Sequence, residues 1–475
     1  MISTTTLAMA DGVRIVVPDS LNLITPYVFQ EQLDWFEDEI KFVRCLLEPG
    51  DNVMDIGANY GAYALPMAKS VGPMGRVWAF EPASATAHLL AESLAANGFT
   101  QVILERSAVS SCSGTAQLSL NDNSELNALV STPSASDACE TVPVVTLDET
   151  INSYEIHRID FLKIDAEGEE ASILRGGDRF FSELSPLVQY EVKAGAVLHT
   201  ELADSFELLG YSSYRLVPGL NVLVPLTKGS QPDSYLLNLF GCKSDRAQLL
   251  ADRGLLVLAD DRGTLSRTQE DRTWTQEDLN TSGYDWRHSI ARQPYGIQLA
   301  SLWVETVALG DSADVELALS LYALSRDVQR APSDRFAALE ASLGLLKPLC
   351  RRHPSYLRLA SLARVAADYG ERQLAVNALR QLAMDISLHQ RADPSEPFLV
   401  PSAAFESISP GDGNIGNWIF SAVLEELERL ESYSSFYSGT SSLQRLELIQ
   451  KLGYGSAEME RRLQLVQRRF GLLDR

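Results

Sequence analysis

The chain has 475 residues, 45% of them hydrophobic, which is too long for one ordinary domain and apolar enough for two or three real cores. Lys and Arg number 40 against 63 Asp and Glu, a formal net charge of −23, so a phosphate backbone or an anionic membrane is a poor default partner. The cysteines (Cys45, Cys112, Cys139, Cys242, Cys350) are scattered and form no CxxC pair, which argues against a disulfide framework or a cysteine zinc site and for a reducing cytosol.

In chain order, the N-terminus MISTTTLAMADGVRIVV has no basic leader. No uncharged apolar run anywhere is long enough to span a bilayer, so a cytoplasmic protein is expected. Up to about residue 228, short β-branched runs alternate with helical stretches. Strands are expected at 52–56 (NVMDI), 76–80 (RVWAF), 101–105 (QVILE), 160–165 (DFLKID) and 187–191 (LVQYE). The stretch 84–98 reads as a helix with Ser84 as its N-cap and Gly98 as its stop. Such alternation predicts a parallel sheet covered on both faces. STPSASDACE (131–140) reads as an exposed loop, and SSYRLVPGLNVLVPL (212–226) as a closing hairpin whose last strand runs antiparallel.

After TKGSQPDS (227–234) strand signals give way to helical periodicity, so the expected division is an α/β domain over 1–228 and an α-helical accessory domain over 229–475. Residues 354–388 hold two helices about DYGER and resemble a tetratricopeptide pair, but a single such unit falls short of a solenoid. Leu357, Ala360, Leu362 and Val365 form an apolar stripe that needs another helix to cover it. SYSSFYSG (432–439) is aromatic and polar; its rings either plug their own core or offer a stacking surface for a sugar.

The chemistry concentrates at two places. The first is VMDIGANYGAYALPMA (53–68), a strand, a glycine turn and a helix. The turn has no lysine, so it is not a Walker phosphate loop, and Asn59 stands where a dinucleotide turn needs its middle glycine. Asp55 ends the strand; a carboxylate there is unhelpful beside a pyrophosphate but suits a ligand with an ammonium and a sulfonium. Glu81 ends the second strand, 24 residues after Gly57, where an acid reaches ribose hydroxyls. Together these point to S-adenosylmethionine as cofactor. A plain helix-capping turn with Glu81 as a surface acid is the structural alternative.

The combination of DIGANYG, FEP, TLDE (146–149) and FLKIDAEGEEASILRGG (161–177) at these distances resembles the FkbM family of S-adenosylmethionine-dependent methyltransferases, over roughly 11–225. The resemblance implies a class I, Rossmann-like fold with a seven-stranded, mostly parallel sheet and one antiparallel strand. It also implies O-methylation of a sugar, glycan precursor or secondary metabolite. By resemblance the cofactor contacts fall on Asp55, Gly57, Asn59, Gly61 and Glu81, with Ser107 and Ala108 beside the adenine.

The second place is FLKIDAEGEE (161–170). Phe161, Lys163 and Asp165 share one face of a strand, and a lysine inside a parallel strand must pair with an acid or reach the sheet edge. Methyl transfer to a neutral alcohol needs a group to take its proton. The catalytic candidates are Asp165 and Glu167 with Lys163; Glu191 and His199 are second-line, and Glu170 reads as solvated helix surface. The alternative is a satisfied Lys163–Asp165 pair with Glu167 and Glu169 favouring a helix N-terminus. Asp165 and Glu167 offer oxygens to a divalent cation, but no partner set is evident and the histidines show no paired spacing, so no metal is expected. The expected partners are a small-molecule or glycan acceptor, not nucleic acid or a membrane span, with the helical half open to a second copy or a protein partner. Two other classes remain: an NAD-dependent oxidoreductase on the same sheet, and a non-catalytic methyltransferase-like scaffold.

Overall fold

The computed structural model describes residues 3–130, 138–194, 197–198, 201–227, 232–258, 274–309, 313–352, 356–411 and 414–472. They form two compact units. One comprises Met1–Leu216, Leu223–Lys228 and Leu236–Leu255; the other comprises Val217–Val222, Gly229–Tyr235 and Leu256–Arg475.

The first unit is built on a mixed sheet. Its strands are β1 (Asn52–Ile56), β2 (Arg76–Phe80), β3 (Val102–Glu105), β4 (Phe161–Ile164), β5 (Leu187–Glu191), β6 (Ser212–Val217), β7 (Val222–Pro225) and β8 (Asn238–Cys242), in spatial order β7-β6-β8-β5-β4-β1-β2-β3. The five strands from β5 to β3 run parallel, and β8 is antiparallel to both β5 and β6. Two expectations are corrected by this order. The sheet has eight strands rather than seven, and the antiparallel strand inside it is Asn238–Cys242, from beyond residue 228. NLFGC carries only two large apolar residues among small and polar ones, too weak a run to announce a strand from sequence. All five of its residues are buried by their neighbours.

Both faces of the sheet are covered. Met54, Ile56, Trp78, Phe80, Leu162, Ile164, Val188 and Tyr190 enter one core, and Ala79 packs with Ala58, Leu65, Leu90 and Phe29 in another. The helix Ser84–Asn97 starts after Ala83, not on a Ser84 cap; Ser84 binds Glu140 instead, and Gly98 ends the helix in the left-handed region at φ +69°. A four-stranded sheet of Ala108–Val109, Gly114–Ser119, Ala128–Val130 and Cys139–Val145 follows β3. Cys139 and Glu140 therefore lie in a strand, and 131–137 of the expected loop fall outside the described residues. TLDE acts locally, as a helix cap. The Thr146 hydroxyl accepts from the Glu149 amide and the Glu149 carboxylate from the Thr146 amide, which closes the start of the helix Leu147–Ser153.

The second unit is helical. Its main helices are Pro294–Leu309, Ala313–Ser325, Pro332–Arg352, Tyr356–Tyr369, Arg372–His389, Ile415–Glu431, Leu443–Leu452 and Ala457–Arg469. From Ala313 onward, consecutive members pack on each other. Leu357, Ala360, Leu362 and Val365 are all buried. In the aromatic stretch, Tyr433 packs against Tyr235 with the Arg372 guanidinium over its ring, while Tyr437 is exposed.

Candidate active site

The turn after β1 hangs on the end of β2. The amides of Gly57 and Ala58 both donate to the Phe80 carbonyl, and the Asn59 amide donates to Glu81 Oε2 at 2.9 Å. Gly57 and Gly61 have φ of +81° and +97°, and Asn59 takes the left-handed region at +48°. A Cβ on Gly57 would lie 1.8 Å from the Asp165 carbonyl oxygen, so this glycine lets the ends of β1 and β4 come together. A Cβ on Gly61 would meet Leu90 and Leu65. Glu81 is buried, with Oε1 accepting from the Ala83 amide and Oε2 from Asn59, and burial pushes its carboxyl up to about 7. This structural role of Glu81, holding the turn, has no signature in the sequence.

Asp55 is 1% exposed, and neither oxygen has a hydrogen-bond partner of good geometry, although the Ala64 amide lies near enough to ease its charge. Burial is the main force on it and pushes the carboxyl up to about 6; nearby Lys163 acts in the opposite sense. The Ser107 hydroxyl is likewise buried without a partner, while Ala108 joins the small core around Ala83, Leu118 and Val142. An acid and a hydroxyl left unsatisfied in the interior are what a missing polar ligand leaves behind.

The second acidic group lies at the same rim. Asp55, Lys163 and Gln189 stand in register on β1, β4 and β5 and so share one face. Lys163 is buried, with Nζ 2.7 Å from Asp165 Oδ2. It sits beneath the rim rather than on it. Above it, carboxylate oxygens of Asp165, Glu167 and Glu191 all lie within 4.8 Å of one another. Glu167 is exposed and held at φ +43°. Although the Glu167 residue is exposed, its carboxyl group is crowded at the rim, and loss of hydration there first, then the neighbouring acids, push Glu167 up to about 7 and Glu191 up to about 9. Three carboxylates this close relieve their repulsion by keeping protons or by sharing a cation. Glu170 is not free helix surface: its Oε1 accepts from the Ala166 and Gly168 amides and ties down the turn. His199 lies outside the described residues.

The sequence model of the methyltransferase FkbM domain matches residues 55–213. The α/β unit carries an FkbM methyltransferase domain. The match begins at Asp55 and takes in Gly57, Glu81, Asp165 and Glu191, about a third of the chain and less than the motifs suggested. No curated protein matches the chain. Solved structures with a similar outline include an S-adenosylmethionine-dependent O-methyltransferase from Thermotoga maritima, at 14% identity over 50% of this chain and 77% of that one, TM-score 0.27. Fibrillarin from Aeropyrum pernix, solved with natively bound S-adenosylmethionine, matches at 10% identity over 51% and 100%, TM-score 0.27. An rRNA methylase from Streptococcus thermophilus matches at 10% identity over 43% and 93%, TM-score 0.25. At these TM-scores the likenesses carry no argument about this chain.

The α/β unit also brings to the rim of its FkbM domain residues that the sequence left unmarked, several of them outside 55–213. Tyr63 and Gln189 lie beside Lys163, and Glu37 takes hydrogen bonds from Trp35, Tyr63 and Asn238. From the short turn Ser124–Leu126, between the strands Gly114–Ser119 and Ala128–Val130, Ser124 donates to Asn59 Oδ1 and Glu125 accepts from Thr25; the charge of Glu125 adds to that of Asp165 and Glu167. Nothing in DWFEDE or NDNSEL distinguishes these residues from ordinary surface acids.

Proposed function

We propose that this chain is an S-adenosylmethionine-dependent methyltransferase acting on a hydroxyl oxygen of a small molecule or glycan. The observation that carries the reading is Asp55, a buried carboxylate without a side-chain donor, beside a glycine turn that is not built for a pyrophosphate. An ammonium is the partner such a carboxylate lacks. Asp55 would hold the amino-acid end of the cofactor, the Gly57–Gly61 turn with Asn59 would follow its backbone-facing side, and Glu81 would meet the ribose. Ser107 and Ala108 would lie against the adenine.

When bound, S-adenosylmethionine supplies a methyl group on a sulfonium, an electrophile needing no further activation. The chain's own residues then position the acceptor and take its proton. With the donor bound, the proton of the acceptor hydroxyl would pass to a carboxylate of the rim as its oxygen is methylated. Glu167 suits that role: it is exposed, and a value of about 7 places it near the working pH. Asp165, fixed by Lys163, would stand beside Glu167 and help hold the place where the acceptor hydroxyl donates its one proton to Glu167. Glu191, held protonated at neutral pH, donates toward the other two.

The chain's cysteines are free, which fits a reducing compartment. The helical unit is proposed to recognise the acceptor or to dock a partner. The test is methyl transfer from labelled S-adenosylmethionine by the purified full chain across a panel of hydroxylated sugars and metabolites. Label appearing in an ether is the expected result; label on an amine, or none on any compound, counts against it.

A further inference from the structure

An ammonium placed between two acids should divide itself between them, yet Lys163 does not. Its neighbours in register are Asp55 on one side and Gln189 on the other, on strands about 4.8 Å apart. Asp165, two residues further along its own strand, is a third choice. The ammonium goes to Asp165 alone, at 2.7 Å, and both Asp55 oxygens stay without a side-chain donor.

Tyr63 packs on this ammonium. It is 3% exposed, and its ring centre lies 4.7 Å from Lys163 Nζ. The face of an aromatic ring attracts a cation and blocks the space behind it. The ring is itself locked. Its hydroxyl donates to Glu37 Oε2 at 2.6 Å and accepts from Gln189 Nε2 at 3.0 Å. Glu37 is anchored in turn by the Trp35 indole at 3.0 Å and the Asn238 amide at 3.1 Å. The Gln189 amide is thereby turned so that its Oε1 has no donor and makes no bond to Lys163. Asp165, Asp55 and Glu37 act most on Lys163, Glu167 and Glu191 also feel its charge, and Glu37 is engaged by three neutral donors.

We propose that Tyr63 is a positioning residue that commits the Lys163 ammonium to Asp165 and so keeps Asp55 open for the cationic end of the methyl donor. The proposal rests on the cofactor reading above. Without the ring, Lys163 would be free to settle on Asp55 and compete with the ligand's own ammonium.

The test is equilibrium binding to the full chain, with thermal unfolding as a check on folding. Two probes are used: S-adenosylmethionine, which carries the amino-acid ammonium, and methylthioadenosine, which keeps the nucleoside and lacks it. Tyr63→Leu is expected to weaken S-adenosylmethionine roughly tenfold or more and to leave methylthioadenosine within about twofold. Tyr63→Phe keeps the ring and is expected to stay close to wild type on both. Adding Lys163→Met to Tyr63→Leu removes the competitor and is expected to recover S-adenosylmethionine binding. If Tyr63→Leu does not fold, Tyr63→Met carries the same expectation, since methionine fills irregular space well. Equal losses for the two probes, or no loss for either in a folded variant, overturns the proposal. A wild-type protein that binds neither probe overturns the cofactor reading as well, and this is seen before any variant is made.

Discussion

Buried carboxylates occur in both units of this protein, and they are treated in opposite ways. In the helical unit most are met closely by arginines, although burial still holds Glu426, with Arg429 at 3.6 Å, above the usual carboxylate range. Arg462 reaches Glu428 and Glu458, Arg429 reaches Glu425 and Glu458, Arg445 bridges Glu428 and Glu431, and Arg358 holds Glu396. Burial pushes Glu431 and Glu458 up, but hydrogen bonds and charge from these arginines and Arg380 outweigh it and hold both below the usual carboxylate range. At the rim of the α/β unit, Asp55, Glu167 and Glu191 share the charge of Lys163, Glu81 accepts from backbone amides, and loss of hydration pushes all four up. On the proposed reading, the difference separates charge used to hold a fold from charge kept for a ligand. Paired buried ions are costly to break, whereas unpaired ones are costly to keep and persist where function needs them.

The largest effect should come from the glycine that joins the two acidic groups. Gly57→Val places a side chain on the Asp165 backbone in a conformation that valine disfavours, so the α/β unit is expected to lose its cooperative unfolding transition while the helical unit keeps its own. Calorimetric scans of wild type and variant would show it; a variant with both transitions intact would contradict it. Arg462→Met leaves Glu428 and Glu458 short of a partner where Arg462 is only 1% exposed, and is expected to cost the helical unit about 3–5 kcal/mol. Denaturant titration measures this, and donor affinity should not change. Glu167→Gln is expected to lower turnover roughly a hundredfold with cofactor affinity retained. In wild type, turnover should rise with pH through about 7 as Glu167 loses its proton, and this limb should vanish in the variant.

A further effect is on stability against pH. Glu191 holds its proton up to about 9 when folded, against an ordinary value of 4.5. Its contribution is therefore fully present below 4.5 and is lost as pH rises through about 9. The thermal midpoint of the α/β unit should fall between 4.5 and about 9 in pH, and less steeply in Glu191→Gln; identical slopes would mean that Glu191 does not titrate there.

The strands of the parallel sheet and the two acidic groups were legible because each follows a local rule: apolar runs, a glycine turn, an acid at a strand end. Lys163 announced its own need for a partner, because an ammonium in a parallel strand has few ways to be satisfied. Three things escaped. Asn238–Cys242 is too weakly patterned to read as a strand, and only the slot between Leu187–Glu191 and Ser212–Val217 makes it one. The real reason for Gly57, its approach to Asp165, is a contact between residues 108 positions apart in the chain. Tyr63, Gln189 and Glu37 acquire meaning only once three strands and the segment before the helix Asp38–Leu46 are brought together.

The central claim is that Asp55 is an unpaired acid kept for a cationic ligand, and Asp55→Asn tests it most directly. Removing a buried charge that has no side-chain partner should leave the α/β unit as stable as wild type or more so, while S-adenosylmethionine binding to the full chain weakens by about 1.5–3 kcal/mol. Calorimetric titration and thermal unfolding of the same preparations read both quantities. A variant that binds the cofactor as tightly as wild type, or that loses stability as a broken ion pair would, contradicts the account.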